Sequence, residues 1–493
     1  MDVEVEFVPR LEYGLAVPRV LRDDGVVHTL GGPEQLFLTG ADELELAESK
    51  ATGAISLRDG GRHAFVVRRA AQLHGEPPPP LDAEAALAAT IASWQSWSEM
   101  HTGYDGPYAD AVHRSALILQ GLTYQPTGAV VAAPTTSLPE IAGGAANWDY
   151  RFGWLRDAAL VARALLAATC ADEARRYFEW MALAAVSCRE SSHVQIVFGV
   201  GGERYLEEAV LDHLDGYRGA SPVRIGNAAW SQRQLDVLGE LFDVAWSLLA
   251  TGEAEPWDPF TTDFLCQLAD RAAKHWGDPD AGLWEVRDEL RHHLASKLMC
   301  WVALDRAVRM AAHLGDGADI ETWTRERDAV REAILTKGWS ETAGSYTASF
   351  GDDRLDASVL LMPLFGFLDA TDDRMYATLA AVEQGLGDEG LLRRNLDAEG
   401  EGAFLLTSFW LASCRALAGE TRRAREIFER AAGCANDLGL LSEMAEPATS
   451  EALGNVPQAL SHVGLITAAK TIGDAEAADR PIGRQEPADA VAS

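Results

Sequence analysis

The chain has 493 residues, 47% of them hydrophobic, and its formal net charge at pH 7 is −33. This length accommodates about two to four domains, or one large repeat barrel with a small partner domain, and the apolar fraction is enough to bury a large core. The acidic balance argues against nucleic acid, an anionic membrane or a large polyanion as partner, because phosphate-binding surfaces need clustered Lys and Arg, whereas it is compatible with a small neutral substrate.

The sequence pattern of residues 1–76 predicts a small antiparallel β-sandwich domain. Gly-Gly and Asp-Gly turns separate segments that alternate apolar and polar residues or are rich in β-branched residues: VEVEFV, VVHTL, QLFLTG, GAISL and HAFVVRR. A Pro-rich break, HGEPPPP, ends this region, and residues 77–105 predict a linker helix.

The hydrophobic periodicity of residues 106–472 predicts a mainly α-helical catalytic domain with twelve helices. The segments with helical periodicity are 108–122, 154–169, 172–187, 230–250, 259–276, 290–314, 320–336, 356–365, 372–385, 403–417, 420–437 and 457–471. Connections after the even-numbered helices are within the usual range of about 2–8 residues, and those after the odd-numbered helices are much longer. Alternation of this kind places every long loop at one end of an (α/α)6 barrel. The tail, residues 473–493, is polar and is expected to be disordered.

Three clusters of polar and aromatic residues lie in the long loops. The first is NWDYRFGWLRD, residues 147–157, where Arg156 and Asp157 either open a helix or bind sugar hydroxyls while Trp148 and Trp154 pack in the core or against a sugar ring. The second surrounds Glu285, and desolvation beside Trp284 would suit this carboxyl to donate a proton. On this stretch alone, a surface ion pair of Glu285 with Arg287 or Arg291 is an equal alternative.

The third cluster contains Glu443, which is expected to face Glu285 across the barrel axis. Two carboxylates on opposite sides of a sugar, with room for a water, suit an inverting glycosidase; by itself Glu443 would be interpreted as an ordinary acid at a helix terminus. The long loop 201–229 is interpreted as a wall of the site, and Arg394 is a further candidate for binding hydroxyls.

Five segments resemble, in order, the motifs of glycoside hydrolase family 15, the glucoamylase and bacterial trehalase family: NWDYRFGWLRDAAL, GYRGASPVRIGNAAWSQRQLDVLGE, LWEVRDELRHHLASKLMCWVALDRA, EGAFLLTSFWLASC and LGLLSEMAEP…LGNVPQALSHVGLI. The resemblance covers about residues 100–472. It implies an (α/α)6 barrel behind a β-sandwich and inverting hydrolysis of an α-glucosidic bond. It further implies that Glu285 is the general acid and Glu443 the general base, and that the residues binding the sugar are Tyr150, Trp154, Arg156, Asp157, Trp284 and Arg394.

This chain departs from the family pattern at three places. Phe152-Gly153 replaces the usual Tyr-Cys and is expected to alter packing more than chemistry. Met444 replaces an acidic or amide residue, which bears on how Glu443 is held. The N-terminal region is shorter than in relatives, so the β-sandwich is expected to be incomplete.

The leading interpretation is an exo-acting α-glucosidase of glucoamylase type acting on maltose, isomaltose or short α-glucans. α,α-Trehalase is the alternative within the family, because it shares the acid, the base and the first sugar site. A phosphorolytic enzyme would make Glu443 unnecessary. A catalytically inactive sugar-binding protein is the alternative from another class, and the presence of both carboxylates speaks against it.

No cofactor is expected, and no metal site either, because the histidines lack ligand spacing and His292-His293 is an isolated pair. The six cysteines are dispersed and most lie in apolar helical patterns, as in a reducing compartment. The N-terminal segment MDVEVEFVPR resembles no signal peptide, and no apolar run reaches the ~20 residues of a membrane span. A cytoplasmic location is therefore expected, and the oligomeric state is left open.

Overall fold

The computed structural model describes residues 1–70, 77–186, 193–252, 257–287, 289–397 and 400–479. Part of the Pro-rich break, His74 to Glu76, therefore lies outside the described residues, as do Cys188 and the tail from residue 480 onward. The chain divides into two compact units, Met1–Met100 and a larger unit that begins at His101.

The first unit contains two antiparallel sheets. Its strands are β1 (Asp2–Phe7), β2 (Arg19–Asp23), β3 (Val26–Leu30), β4 (Gln35–Thr39), β5 (Glu45–Ala47), β6 (Lys50–Ser56) and β7 (Val66–Ala70). One sheet has the order β1-β6-β5 and the other β2-β3-β4-β7. The antiparallel β region that the sequence predicts is confirmed, and the prediction missed β2 and the three-residue β5.

A single apolar cluster joins the two sheets of the first unit. Val20, Val27 and Leu38 from the four-stranded sheet pack with Ala51 of β6, and Val5 and Phe7 of β1 cover that cluster. Burial on one face explains why β1 alternates intermediate and exposed residues along DVEVEF. Helix α1 (Ala83–Met100) completes this unit and has no buried residue.

The second unit is helical. Its helices are α2 (Ala109–Leu122), α3 (Ala158–Ala167), α4 (Ala171–Val186), α5 (Val237–Thr251), α6 (Pro259–His275), α7 (Leu294–Arg309), α8 (Ala311–Leu314), α9 (Ile320–Lys337), α10 (Leu361–Leu364), α11 (Asp373–Leu386), α12 (Leu405–Leu417), α13 (Thr421–Ala432) and α14 (Ala459–Asp479). Every helical segment that the sequence predicts corresponds to one of these, with a short 3₁₀ turn, Ala357–Leu360, leading into α10.

Alternate helices form a closed inner ring. Helix α14 packs against α3, α3 against α5, and α5 against α7; α7 contacts the 3₁₀ turn before α10, α10 packs against α12, and α12 returns to α14. Helices α2, α4, α6, α9, α11 and α13 pack outside this ring. The (α/α)6 barrel predicted from the sequence is therefore confirmed.

Burial follows the two rings. Inner helix α12 is buried along nearly its whole length, so its segment LLTSFWLASCRAL is almost entirely apolar or small. Outer helix α13 buries Ala424, Ile427, Phe428 and Ala431, a stripe at helical spacing, and exposes the glutamates between them. An amphipathic outer helix around a fully buried inner helix is the arrangement that this alternation of sequence patterns produces.

Short two- and three-stranded sheets shape the loops of the barrel. Their strands are β8 (Thr123–Tyr124), β9 (Ala129–Val130), β10 (Gly153–Trp154), β11 (Val197–Phe198), β12 (Ala209–Val210), β13 (Arg224–Ile225), β14 (Trp339–Ser340), β15 (Ser345–Tyr346), β16 (Gly387–Asp388), β17 (Leu391–Leu392), β18 (Ala403–Phe404), β19 (Met444–Ala445) and β20 (Ala452–Leu453). Strand β18 pairs with β19, and β19 with β20, so the segment after Glu443 has backbone partners on both sides.

Helix α14 extends beyond the boundary that the sequence predicts. Disorder is expected from residue 473, but the helix continues to Asp479. Arg425 on α13 forms an ion pair with Glu476 (Nε to Oε1, 2.5 Å), and Lys470 pairs with Asp474 one turn later, which stabilises these polar turns. Among the described residues, no helix combines the length and the apolar character needed to cross a membrane.

Candidate active site

A cavity of about 180 Å³ lies at the N-terminal ends of the inner helices. Its lining residues come from the loops before α3, α7, α12 and α14 and from the first turns of α3, α5, α10, α12 and α14, with Trp410 from the second turn of α12. All eight site residues that the sequence predicts line it: Tyr150, Trp154, Arg156, Asp157, Trp284, Glu285, Arg394 and Glu443. Helix N-termini carry partial positive charge, so this end of the barrel favours carboxylates.

The segment 147–157 is fixed from both sides. Buried Asn147 donates from its side-chain amide to the carbonyl of Pro222 (3.0 Å), and strand β10 pairs with β11. A Cβ at Gly153 would lie 2.4 Å from the ring of Trp180, which is 4% exposed. The Phe152-Gly153 departure therefore makes room for an indole ring from α4 and does not change a group in the cavity.

Glu285 lies in a tight turn. Its amide donates to the carbonyl of Gly282 (3.1 Å), and its φ of 57° is left-handed, a strained conformation of the kind found at functional sites. Trp154 donates from Nε1 to Glu285 Oε1 (2.8 Å), and Arg156 donates from Nη1 to the same oxygen (2.6 Å). The surface ion pair that the sequence left open is thus replaced by a pair with Arg156; Arg287 instead pairs with Glu208 (2.9 Å).

Glu443 is a buried residue directly before β19. It is 2% exposed, and its Oε1 accepts a hydrogen bond from the Tyr150 hydroxyl (2.7 Å). Among the described residues, Oε2 has no hydrogen-bond partner. Burial raises the pKa of Glu443 to about 7, against the lowering effects of the Tyr150 hydrogen bond and the Arg394 charge. This carboxyl therefore titrates close to neutral pH.

Met444 does not contact the cavity directly. Successive residues of a strand point to opposite sides, and Met444 is fully buried while Glu443 lines the cavity. The backbone of Glu443 is held instead by its neighbours, because its amide donates to Asn455 and its carbonyl accepts from Leu405 (both 3.1 Å). The Met444 departure therefore leaves the position of Glu443 to these backbone contacts.

Asp157 and Arg156 form a buried pair in the cavity. Arg156 Nε donates to Asp157 Oδ1 (3.1 Å), while its Nη1 also donates to the Leu283 carbonyl (3.0 Å). Burial raises the pKa of Asp157 and Arg156 lowers it, with a net increase. One guanidinium thus connects the 147–157 segment with the turn that carries Glu285.

Trp284 is held by a residue that the sequence did not single out. Its Nε1 donates to both carboxylate oxygens of Asp356 (2.9 and 3.0 Å), and Asp356 also caps the 3₁₀ turn before α10. The Trp284 ring lies edge-on to Phe404 with a centroid separation of 5.7 Å. An N-terminal cap before an apolar run was the available signal for Asp356.

Arg394 meets two further buried carboxyls that sequence reasoning missed. Its Nη2 donates to Glu140 Oε2 (3.1 Å) and to Glu401 Oε1. Both glutamates line the cavity. Nothing in the local pattern indicates them, since Glu140 lies in a loop 254 positions from Arg394.

The expectation that loop 201–229 forms a wall of the site is wrong, because none of its residues lines the cavity. The loop lies behind that wall: Arg224 donates to the carbonyls of Ala145 (2.9 Å) and Asn147 (3.1 Å). The guanidinium carbons of Arg224 and Arg287 lie 4.5 and 4.3 Å from the ring centroid of Trp148, which does line the cavity. The loop therefore positions lining residues through cation–π and backbone contacts.

Metal-ligating side chains approach one another at one place in the described part of the chain. His101, Cys170 and Glu173 place possible ligand atoms within 4.8 Å of one another, away from the cavity. Burial raises the pKa of Cys170 to about 12, so its thiol is protonated, and Sγ lies 3.5 Å from the Ala168 carbonyl. The cavity itself presents carboxyl, guanidinium and aromatic groups, which suit a polyhydroxylated ligand.

The described fold matches solved glycosidases. A bacterial glucoamylase crystallised with acarbose aligns with a TM-score of 0.72 at 14% identity, covering 96% of this chain and 77% of that one. A wild-type protein described as a glycosidase aligns with a TM-score of 0.60 at 19% identity, covering 80% of this chain and 99% of that one. At these identities the likeness establishes the fold.

Sequence comparison identifies closer relatives. A protein named trehalase from Mycobacterium tuberculosis is 40% identical over 425 residues, covering 84% of this chain and 62% of that protein. A trehalase from Thermoplasma volcanium is 32% identical over 482 residues, covering 96% of this chain and 76% of its own length. The chain thus spans about three fifths of the length of the mycobacterial relatives. The profile of glycosyl hydrolases family 15 matches residues 106–470, and the chain belongs to this family.

Proposed function

We propose that this chain hydrolyses an α-glucosidic bond with inversion, with Glu285 as general acid and Glu443 as general base. The observation that carries the proposal is that these two carboxyls line one cavity but have separate hydrogen-bond donors: Arg156 and Trp154 for Glu285, Tyr150 for Glu443. Separate environments allow two like groups to take opposite roles in one reaction.

Glu285 gives its proton to the glycosidic oxygen. Its Oε1 accepts from both Trp154 and Arg156, which leaves Oε2 to carry the proton and present it to the leaving group. After transfer, Arg156 stabilises the carboxylate that forms, because the guanidinium is already within 2.6 Å of it.

Glu443 takes a proton from the attacking water. Oε1 is occupied by Tyr150, so the proton is accepted at Oε2, the oxygen with no hydrogen-bond partner among the described residues. Since burial raises the pKa of this carboxyl to about 7, the base becomes ionised as the pH rises through neutrality. A base of this strength is matched to its operating pH.

Six residues bind the sugar in this proposal. Asp157, Arg156 and Arg394 supply charged hydrogen bonds to hydroxyl groups, and Tyr150, Trp154 and Trp284 supply aromatic surface. The rings of Tyr150 and Trp154 stand edge to face with centroids 5.5 Å apart, which gives a rigid corner rather than a flexible surface. Charged donors beside rigid aromatic rings favour a neutral polyhydroxylated ring.

α,α-Trehalose is the substrate that we favour. The curated relatives are named trehalase and are 30–40% identical to this chain, whereas the glucoamylases are similar in fold at much lower identity. Glucoamylase-type action on maltose, isomaltose or short α-glucans is the second candidate, because the same acid, base and sugar-binding residues would serve it.

Glucose release from trehalose, maltose, isomaltose and a soluble α-glucan tests the proposal. We expect hydrolysis of trehalose with the largest kcat/KM, and a fall in kcat of ~10²–10⁴-fold for Glu285→Gln and for Glu443→Gln with substrate binding retained. Glu332→Gln, an exposed position on outer helix α9 and outside the cavity, is the matched control and should keep wild-type activity. Full activity of either glutamine variant would refute the assignment of roles; preference for maltose would favour the second candidate.

A further inference from the structure

Three buried carboxyls converge on one guanidinium in the cavity. Glu140, Glu401 and Glu443 are 1%, 3% and 2% exposed. Arg394 donates to the first two and acts electrostatically on the third. If all three were ionised, two negative charges would be left uncompensated. The guanidinium of Arg156, which also lines the cavity, is already paired with the carboxylate of Asp157.

An uncompensated buried charge is removed by protonation. Burial and then the charge of Glu443 raise the pKa of Glu140 well above its usual range, and Arg394 does not offset them. The Tyr150 hydroxyl donates a hydrogen bond to Glu443, which favours its ionised form, whereas Glu140 shares the donor Arg394 with Glu401. We therefore assign the proton to Glu140, while Glu401 and Arg394 form an ion pair beside it.

One carboxyl oxygen of Glu140 also lacks a hydrogen-bond partner within the described residues. Oε2 of Glu140 accepts from Arg394 (3.1 Å), whereas Oε1 is buried and has no hydrogen-bond partner among the residues that the structure describes. Glu140 lines the cavity together with Glu443. An unpaired buried polar atom is costly in a native protein, and a ligand hydroxyl would remove that cost.

We propose that Glu140 is a substrate-binding residue that acts as a neutral carboxylic acid, with Oε1 hydrogen-bonded to a hydroxyl of the bound sugar. A sugar hydroxyl both donates and accepts, so it satisfies Oε1 whether that oxygen carries the proton or not. The neutral form has a second consequence: it adds no negative charge beside Glu443, so the base can ionise near neutral pH. The binding role rests on the proposed function; the protonation state does not.

Matched variants separate this role from a structural one. Glu140→Gln keeps a neutral hydrogen-bonding group, so the acidic limb of the pH profile should not move and the loss of kcat/KM should be smaller than for Glu140→Leu. Glu140→Leu removes the polar group, and kcat/KM should fall roughly 5- to 150-fold, the range for losing a buried hydrogen-bond partner. Glu401→Gln removes a negative charge that raises the pKa of Glu443, so its acidic limb should move to lower pH.

Four titratable or charged groups act on the carboxyl of Glu443: Tyr150, Arg394, Glu401 and Glu140. The variants above change only Glu140 or Glu401, so Tyr150 and Arg394 stay as they are in the wild type. A downward shift of the acidic limb in Glu140→Gln would mean that Glu140 is ionised in the enzyme and would overturn the proposal. Unchanged kcat/KM in a folded Glu140→Leu variant would overturn the binding role.

Infrared difference spectroscopy tests the protonation state without substrate. Wild type minus Glu140→Gln at pH 8 should contain the carbonyl stretch of a protonated carboxyl, and its absence would refute the proposal even if Glu140→Leu fails to fold. An enzyme that hydrolyses none of the substrates but shows this band would refute the proposed function alone.

Discussion

The Tyr150 hydroxyl donates a hydrogen bond of 2.7 Å to Oε1 of Glu443. The two residues are 293 positions apart in the chain, and this contact connects the loop before α3 with the loop before α14. It favours the ionised form of a carboxyl whose pKa burial has raised. Tyr150 therefore acts on the base as well as on the sugar in the proposed mechanism.

Tyr150→Phe should move the acidic limb of the kcat/KM profile to higher pH. Loss of the hydroxyl removes the hydrogen bond that lowers the pKa of Glu443, so that pKa should rise above its present value of about 7. The variant should lose more activity at pH 6 than at pH 9. Tyr177→Phe is the control, because its hydroxyl donates to the Trp154 carbonyl (3.3 Å) and not to Glu443. An equal loss of activity at all pH values would contradict this role.

Periodicity and loop length were sufficient to predict the barrel. Every apolar stripe that predicts a helix belongs to a helix of the structure, because the inner and outer rings impose different burial patterns. The eight predicted site residues meet at one cavity because they all lie in loops before inner helices. The lengths of those loops mark that end of the barrel in the sequence, whereas the choice of residues within the loops rested on the resemblance to the family.

Partners of the site residues were beyond prediction. Asp356 holds Trp284 from 72 positions away, and Glu140 reaches Arg394 across 254 positions. Such contacts depend on where the closed ring brings the loops, which no local pattern encodes. The same limit explains α14: an ion pair from α13 to Glu476 supports turns whose composition alone predicts disorder.

Gly454→Ala should impair catalysis by crowding the base. A Cβ at Gly454 would lie 2.5 Å from Oε2 of Glu443, and its φ is +72°. Gly351 has a φ of +73° with nothing within 4 Å of its Cβ position, so Gly351→Ala carries a similar backbone cost of ~1–2 kcal/mol without the contact. We expect kcat to fall at least about tenfold for Gly454→Ala. Gly351→Ala should keep the wild-type kcat when activity is divided by the fraction of each protein that is folded. Equal activity of the two folded variants would contradict the prediction.

Asp236 should make the protein less stable at alkaline pH. It is fully buried, and burial followed by the charge of Asp280 raises its pKa to about 7. A carboxyl whose folded-state pKa is raised contributes stability below its unfolded pKa, and that contribution is lost as the pH rises through about 7. The effect is on the order of 4 kcal/mol at most for a shift of about three pKa units.

Asp236→Asn keeps the side-chain oxygen that caps α5 and removes the titration. The decrease in the free energy of unfolding between pH 5 and pH 8, measured by denaturant titration, should therefore be smaller than in wild type. Asp258→Asn, at the exposed cap of α6 where backbone hydrogen bonds lower the carboxyl pKa, is the control and should not reduce that decrease. An unchanged pH dependence in Asp236→Asn would show that Asp236 is ionised throughout this range.

The glucose whose anomeric carbon is attacked by water should be released as the β-anomer. In the proposed mechanism Glu443 activates a water on the face of the sugar opposite the leaving group, so an α-linkage is replaced by a β-hydroxyl. This geometry needs carboxyl groups about 6.5–9.5 Å apart, whereas a nucleophilic carboxylate about 5 Å from the acid would retain the configuration. Inverting hydrolysis of α,α-trehalose releases one β-glucose from the attacked ring and one α-glucose as the leaving group, whereas retention releases two α-glucose molecules. Proton NMR within the first turnovers, before mutarotation, should therefore show equal amounts of the two anomers. α-Glucose alone from trehalose would assign Glu443 to nucleophilic attack instead of water activation, because two inversions restore the starting configuration.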